Sequence, residues 1–288
     1  MSFSVIIVLH NSAADIRRLL PSFAHFPALP RVICVDTCSS DGGVAIARDW
    51  GADVVELDGN LGFGAANNAG LALVQDPVTV LLNPDCVLLD DSLPRLAGFA
   101  AGEQPSALVA PRLLNLDGTP QRSAHPAPGT RAAYTAALIP PRMLPPPLRH
   151  HLEPYRAARP RRVGWAIGAC LAARTDVLRR LGPFDAEQFL YGEDLDLCLR
   201  AAALGVPTVL HPELRVVHAG GHATSTEPFA LKAQRRRAVI AANLGSAALR
   251  RDDRAQAITF ALRAAVGRDR ARNRAQLAAL REARGISR

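Results

Sequence analysis

Short β-branched apolar runs alternating with helix-like segments predict an α/β chain. It is a single Rossmann-like domain with a mainly parallel, mixed sheet, followed by basic helices. Three observations carry this expectation. The apolar runs are brief, each ends in a cluster of polar residues, and the composition turns to alanine, arginine and leucine after residue 226. The strands expected in the first half are SVIIVLH (4–10), RVICVD (31–36), DVVEL (53–57) and VTVLLN (78–83). Between them, SAADIRRLLPSFAHF (12–26) opens with Ser12 as an N-cap, and GAANNAGLALVQ (64–75) keeps Leu71 and Val74 at helical spacing.

From 115 to 162 the pattern gives way to proline-rich, basic sequence such as LIPPRMLPPPLRHHLEP, expected to form a long loop or a loosely ordered excursion. Order is expected again at VGWAIGACLAAR (163–174), a strand, and at TDVLRRLGPFD, a short helix stopped by Gly182 and Pro183. A helix beginning near Gly192 places Leu195, Cys198, Leu199 and Ala202 on one buried face, with Asp194 and Asp196 pointing elsewhere. PTVLHPELRVVHAGG (207–221) returns as extended chain, and two basic amphipathic helices cover 231–251 and 254–285. The expected division falls near 225, giving an α/β unit at 1–225 and a helical tail at 226–288.

Composition narrows the function. Apolar residues make up 49% of the 288, yet no run nears the roughly 18 needed to span a bilayer, and the start lacks a cationic leader region. A cytoplasmic protein is expected. The five cysteines are scattered in apolar runs, as reduced thiols rather than a disulfide framework or a zinc site. The net charge of +8 rests almost wholly on arginine, Lys232 being the single lysine. It concentrates in RHHLEPYRAARPRR and in the tail, where it can meet phosphates or anionic lipid. The tail has few aromatic residues for base stacking, so no nucleic-acid partner is expected.

In an open α/β sheet, ligands bind beyond the C-terminal strand ends, which here read HN (10–11), DTCSSDGG (36–43), DGNLGFG (58–64) and NPDC (83–86). The first β-to-α turn, HNSAAD, has no glycine. That excludes a dinucleotide dehydrogenase and argues against a sugar nucleotidyltransferase, which needs a glycine-rich basic loop there. Asp36 is either a nucleoside ligand or a turn residue, and Asp85 either a ligand or the acid of an Asn-Pro-Asp turn. His218 is either a loop histidine or, with a carboxylate and diphosphate oxygens, a ligand for Mg²⁺ or Mn²⁺. Glu193, Asp194 and Asp196 suit a helix N-terminus electrostatically, and Asp196 stands four before Arg200 as an exposed pair. Crowding and partial burial would also raise one carboxylate's pKa and make it a better base.

Taken in order, SVIIVLHNS, VICVDTCSSDGG, NLGFGAANNAG, VLLNPDCVL, GACLAART, GPFDAEQFLYGEDLDLCLRAAALG and VVHAGGHAT resemble the successive signatures of inverting family 2 glycosyltransferases with the glycosyltransferase A fold, over roughly residues 3–225. The resemblance implies that Asp36 contacts the donor nucleoside, with His10, Asn11, Gly62, Asn67 or Asn68, and Asn83 nearby. It implies that Asp85 is the metal-binding acid of an Asp-x-Asp motif whose first acid is here Asn83, with His218 as a further metal ligand. Asp194 becomes the general base, tuned by Glu193. The versions of these motifs, with PRLLNLDGTPQRSAHPAPG, are similar to bacterial rhamnosyltransferases that move L-rhamnose from dTDP-rhamnose to N-acetylglucosaminyl-diphospho-polyprenol. The implied partners are a nucleotide sugar, a glycan or polyprenyl-diphosphate-linked acceptor, and an anionic surface at the inner membrane face met by the arginine-rich loop and tail. A UDP- or GDP-sugar donor, and a degenerate sugar-nucleotide binding protein, remain the alternatives. Oligomeric state is left open.

Overall fold

The computed structural model describes residues 1–103, 105–139, 144–182, 184–185, 190–220, 228–266 and 269–285. Pro183, His222 and the expected division near 225 lie outside the described residues. The first half alternates β1 (Ser4–Leu9), α1 (Ala13–Leu19), β2 (Arg31–Asp36), α2 (Gly43–Trp50), β3 (Asp53–Glu56), α3 (Phe63–Leu73) and β4 (Val78–Leu82). Then come β5 (Cys86–Leu88), α4 (Ser92–Gly102) and β6 (Leu108–Leu114). Among the described residues, nine strands form one sheet. Its main path runs β3-β2-β1-β4, then β10 (Cys170–Arg174), β6, β11 (Thr208–His218) and β5, with β8 (Arg161–Val163) paired to β11.

The sheet is parallel across β3, β2, β1 and β4, and antiparallel where β10 inserts between β4 and β6. Alternation along β1 explains its layers. Val5, Ile7 and Leu9 pack with Ile16, Leu19, Phe23, Leu93 and Leu96 on one face, while Ile6 and Val8 join Ala66, Val177, Leu197 and Cys198 on the other. Burial on both faces is what a helix-covered parallel sheet requires. On the second face α3 approaches β1 so closely that a Cβ on Gly70 would stand 2.7 Å from Ile6 Cγ2.

Parallel pairing sets the site. Leu9 lies level with Asp36, and Ile7 with Leu82, so the loops at 10–12, 37–42 and 83–85 emerge from one edge of the sheet. Ser12 stands at the N-cap position of α1 but makes no side-chain cap bond. Its Oγ accepts the His10 N–H instead. The Ala13 N–H goes to Asp41 Oδ2 at 2.7 Å, and Asp41 Oδ1 accepts the Gly43 N–H at 3.0 Å, so one distant carboxylate satisfies the first turns of α1 and α2 together.

Three expectations need correction. The proline-rich excursion is not merely loop, since it contains β7 (Ala124–His125), α5 (Arg131–Leu138) and α6 (Pro146–Leu152). Pro146 sits in the first turn of α6, where a missing N–H has no intrahelical partner to lose. The run 163–174 is not one strand. It breaks into the end of β8, β9 (Trp165–Ala166) and β10, because the chain leaves the main sheet to pair with β7 before re-entering it. The tail breaks at Gly245, inside α9 (Phe229–Val266), and resumes as α10 (Arg270–Ala283).

The helix near Gly192 is α8 (Glu193–Ala203), following α7 (Thr175–Leu181). Leu195 and Leu199 pack with Val239, Ile240 and Ala248 of α9, so α8 is covered on both sides. Asp196 is therefore buried rather than exposed, receiving Arg200 Nε at 2.7 Å and Asn243 Nδ2 of α9 at 2.9 Å. Ala202, expected in the buried face, is exposed. Among the described residues no helix is long and apolar enough to cross a membrane.

Asp41→Ala should lower stability by about 1–2 kcal/mol, because two helix N-termini lose their shared acceptor. Urea titration would register this as a lower midpoint at unchanged slope, and an unchanged midpoint would refute the double-cap role.

Candidate active site

The edge of the sheet carries two groups of side chains. At the β1 and β2 ends, Asp36 is buried, and its Oδ2 accepts the Ser39 N–H at 3.0 Å. Its Oδ1 is buried without a hydrogen-bond partner among the described residues, an acceptor aimed at something the protein itself does not supply. His10 is exposed beside it, with Nδ1 3.1 Å from the Thr37 carbonyl oxygen. Asn11, at a positive φ of 51°, uses Oδ1 to accept the Ser40 N–H and hydroxyl. Asn60 Nδ2 lies 3.4 Å from the His10 ring, and Asn60 Oδ1 accepts the Gly62 N–H just before α3. The helix's own asparagines are bound to backbone. Asn67 donates to the Phe63 carbonyl, while Asn68 is paired through both amide atoms with Phe184.

The second group forms where β4 ends. The antiparallel β5–β11 ladder sets His218 level with Cys86, and so beside Asp85. His218 Nε2 is 3.3 Å from Asp85 Oδ1, and Asp85 Oδ2 accepts the Gly220 N–H at 3.0 Å. On the far side of the ring, Nδ1 is 2.8 Å from Gln121 Oε1. An amide oxygen only accepts, so Nδ1 carries the proton and, in the neutral ring, Nε2 turns a lone pair toward the carboxylate. Nε2 and the carboxylate oxygen then stand as two acceptors side by side, an arrangement that suits a bound cation. Asn83 adds a third donor: Nδ2 lies 3.5 Å from His218 Nε2, and Oδ1 is buried without a partner among the described residues. A carboxylate, an imidazole and an amide oxygen fit a hard divalent cation that completes its shell with substrate oxygens. Among the described residues, no group of three His, Cys, Asp or Glu is gathered for a metal.

The acids of α8 are linked to this group through the Gly168–Ala169 turn. Glu193 is buried, and burial pushes its carboxyl up to about 7, helped by the adjacent Asp194 charge and opposed by backbone N–H groups and Arg235. Its Oε1 has no hydrogen-bond partner among the described residues. Burial also raises Asp194, against the Leu195 and Gly168 N–H groups and the Arg236 charge, which lower it. Gly168 donates to Asp194 Oδ2 at 3.3 Å, and a Cβ at that glycine would stand 3.3 Å from Asp194 Cβ. The next residue, Ala169, accepts the Asn83 N–H at 2.8 Å. One turn thus touches the base candidate on one side and the end of β4 on the other.

The fold therefore brings Asp36, His10 and Asn11 together, brings Asn83, Asp85 and His218 together, and connects Asn83 to Asp194 through two residues. Sequence reasoning missed Gln121, Gly168, Asn60 and Asp41. A lone amide or glycine carries no chemical signature, and each acts here through a contact distant in sequence.

A mixed sheet with nucleotide-type loops at one edge and paired acids opposite defines a glycosyltransferase A domain. Structural comparison agrees: a mannosyltransferase from Pyrobaculum calidifontis, solved with GDP-Man and Mn²⁺, superposes with a TM-score of 0.64 at 17% identity, covering 98% of this chain and 86% of that one. The sequence model of glycosyl transferase family 2 matches residues 4–180, and the chain belongs to that family. A second model, glycosyl transferase family group 2, matches 150–272. The N-acetylglucosaminyl-diphospho-decaprenol L-rhamnosyltransferase of Mycobacterium tuberculosis is 27% identical over 242 residues, spanning 78% of each chain. The rhamnosyltransferase WbbL of Escherichia coli is 25% identical, over 76% of this chain and 83% of that one.

Glu193 yields a pH-dependent prediction. Between its ordinary value near 4.5 and about 7, the folded protein keeps a proton that the unfolded chain has released, so its contribution to stability is lost as pH rises through that window. Glu193→Gln should therefore gain thermal stability relative to the parent at pH 8 compared with pH 4. A midpoint difference that stays constant with pH would contradict the burial assignment.

Proposed function

We propose that this family 2 enzyme is an inverting, metal-dependent rhamnosyltransferase that moves L-rhamnose from dTDP-rhamnose to a hydroxyl of a polyprenyl-diphosphate-linked sugar. The observation that carries the reading is that an Asp85–His218 pair and a half-buried Asp194 with a raised pKa are joined through the Gly168–Ala169 turn. The names of the mycobacterial and E. coli relatives support the sugar, and the name of the former supports the acceptor class.

The chemistry follows from the residues. Asp36 and the His10–Asn11 loop receive the nucleoside, Asp36 through its unpartnered oxygen, while Gly62, Asn67 and Asn68 shape the wall formed by α3. Asp85, His218 and the Asn83 carbonyl would hold Mg²⁺ or Mn²⁺, which when bound supplies positive charge to the departing diphosphate. Asn83 in place of an acid leaves that set with a single carboxylate, so the protein would supply less negative charge to the ion. Asp194 takes the proton of the acceptor hydroxyl while that oxygen's lone pair attacks the anomeric carbon from the face opposite the diphosphate. The C–O bond to the diphosphate breaks with its electron pair, and the product anomer is inverted. Glu193 stands beside it, its own carboxyl raised by burial and by the Asp194 charge.

The enzyme is placed at the inner membrane face, where its acceptor's lipid lies. Of the tail arginines, Arg236, Arg237 and Arg284 are engaged by Asp252 and Asp253, whereas Arg250, Arg254, Arg270 and Arg274 are exposed. Each exposed arginine near an anionic surface contributes about 1 kcal/mol. Co-sedimentation with phosphatidylglycerol vesicles should be salt-sensitive and strong, and absence of sedimentation at low salt would rule the placement out.

Asp194→Asn should reduce transfer by at least about 10³-fold while nucleotide affinity stays near the parent's, and near-normal turnover would remove the base assignment. For Asp85→Ala, calorimetric titration with dTDP should lose its dependence on Mn²⁺. Equal binding with and without metal in the parent would refute the metal role. A thermal-shift panel of dTDP-rhamnose, UDP-sugars and GDP-mannose, followed by product analysis, tests the donor, and preference for a UDP- or GDP-sugar would overturn it.

A further inference from the structure

A polar cavity lies between the chain around 122–165 and helix α9, away from the donor loops. It is about 240 Å³, and it adjoins a cavity of about 480 Å³ that reaches α10. Arg122, Phe260 and Arg263 line both. The charges around them are unevenly satisfied. Asp252 is held by Arg236 through two bonds of 2.9 and 2.8 Å, and Glu153 accepts from Arg149, Arg156 and the Tyr155 hydroxyl. Arg122 instead lies over the Tyr155 ring, 5.8 Å from its centre. Arg263 is half-buried, and both burial and the Arg122 charge lower its pKa. His125, pushed down to about 3 by burial and by Arg122 and Arg236, is neutral and stacks on Trp165 at 4.4 Å.

Arg263 is half-buried and Arg122 exposed at the same cavity, and although the Glu153 charge also reaches Arg263, the hydrogen bonds and ion pairs of the wall carboxylates go to Arg149, Arg156, Tyr155 and Arg236, which leaves a place for an external anion. In the neighbouring cavity Asp269 is offset by Arg272, and the two shared arginines leave a positive excess there as well. The remaining lining is apolar or aromatic, with Trp165, Phe260 and Leu152 among it. The cavity is also joined to the catalytic acid. Arg236 lines it and lowers the pKa of Asp194, and Trp165 packs on the cluster that contains Leu195.

We infer that Arg122 and Arg263 bind the diphosphate of the acceptor, with the start of its apolar chain lying along Phe260 and Trp165. The sugar on that diphosphate then extends toward Asp194. This assignment rests on the proposed acceptor class, but its anion site stands on the two arginines alone. It also gives the excursion and the tail a shared task, because neither closes this cavity without the other.

The test uses the full chain, with farnesyl diphosphate as a short amphipathic probe and dTDP as the donor-site control. Calorimetry should show farnesyl diphosphate binding that weakens by about tenfold or more in Arg122→Gln/Arg263→Gln, while dTDP affinity is unchanged. Farnesol should bind far more weakly than the diphosphate. Circular dichroism and the preserved dTDP affinity establish that the double variant is folded, and Arg263→Lys should recover part of the binding. Equal farnesyl diphosphate affinity in parent and double variant overturns the inference. So does a double variant that loses only its association with phosphatidylglycerol vesicles, since the arginines would then serve a lipid surface. If product analysis finds no sugar transfer to a lipid-linked acceptor while the arginine-dependent binding persists, the proposed acceptor fails and the anion site remains.

Discussion

The turn at Ile167–Ala169 is the constraint on which the candidate site depends. Three consecutive backbone positions bind three different parts of the molecule. The Ile167 N–H goes to Ser123, the Gly168 N–H to Asp194, and the Ala169 carbonyl accepts from Asn83. Ser123 in turn bonds to Gln121, and Gln121 holds the far side of His218. A closed circuit of hydrogen bonds therefore runs from the base candidate to the carboxylate–imidazole cluster and back through the end of β4. Such a circuit fixes the cleft by backbone groups, which have less freedom to relax than side chains, so its geometry is set before any substrate arrives.

The tail helices extend this logic to electrostatics. α9 covers α8, withdraws Asp196 into a bond with Asn243, and brings Arg235 and Arg236 toward Glu193 and Asp194. Burial raises both carboxyls, and the arginines oppose that rise. Burial and charge thus act on these two carboxyls in opposite directions. Asp196, identical to Asp194 in chemistry, is removed from the reaction by its two hydrogen-bonding partners.

Much of the frame was legible in the residues. The apolar runs at 4–10, 31–36 and 78–83 become strands buried on both faces, whereas β3 at the sheet's edge is only partly buried, and parallel strands necessarily present their polar ends on one edge. The order of the motifs identified the family because those ends recur in a set sequence. Not drawn from the sequence were α2, α4, β5 and β6, short elements lying between the recognised strands, and the helices inside the proline-rich segment. There the prolines fall where a helix tolerates them, a distinction of one or two positions. The N-cap of α1 was misread because a serine in the right place lost to an aspartate 28 positions away.

By itself, then, the sequence determined the α/β class, the edge of the sheet that gathers the polar strand ends and the chemical identity of the candidate acids, since these follow from local periodicity and residue type. Only the tertiary structure separated Asp194 from Asp196, placed His218 against Asp85, and gathered Arg122 and Arg263 about one cavity. These distinctions depend on desolvation and on partners 47 to 141 positions apart, and neither burial nor a long-range contact is written in the spacing of neighbouring residues.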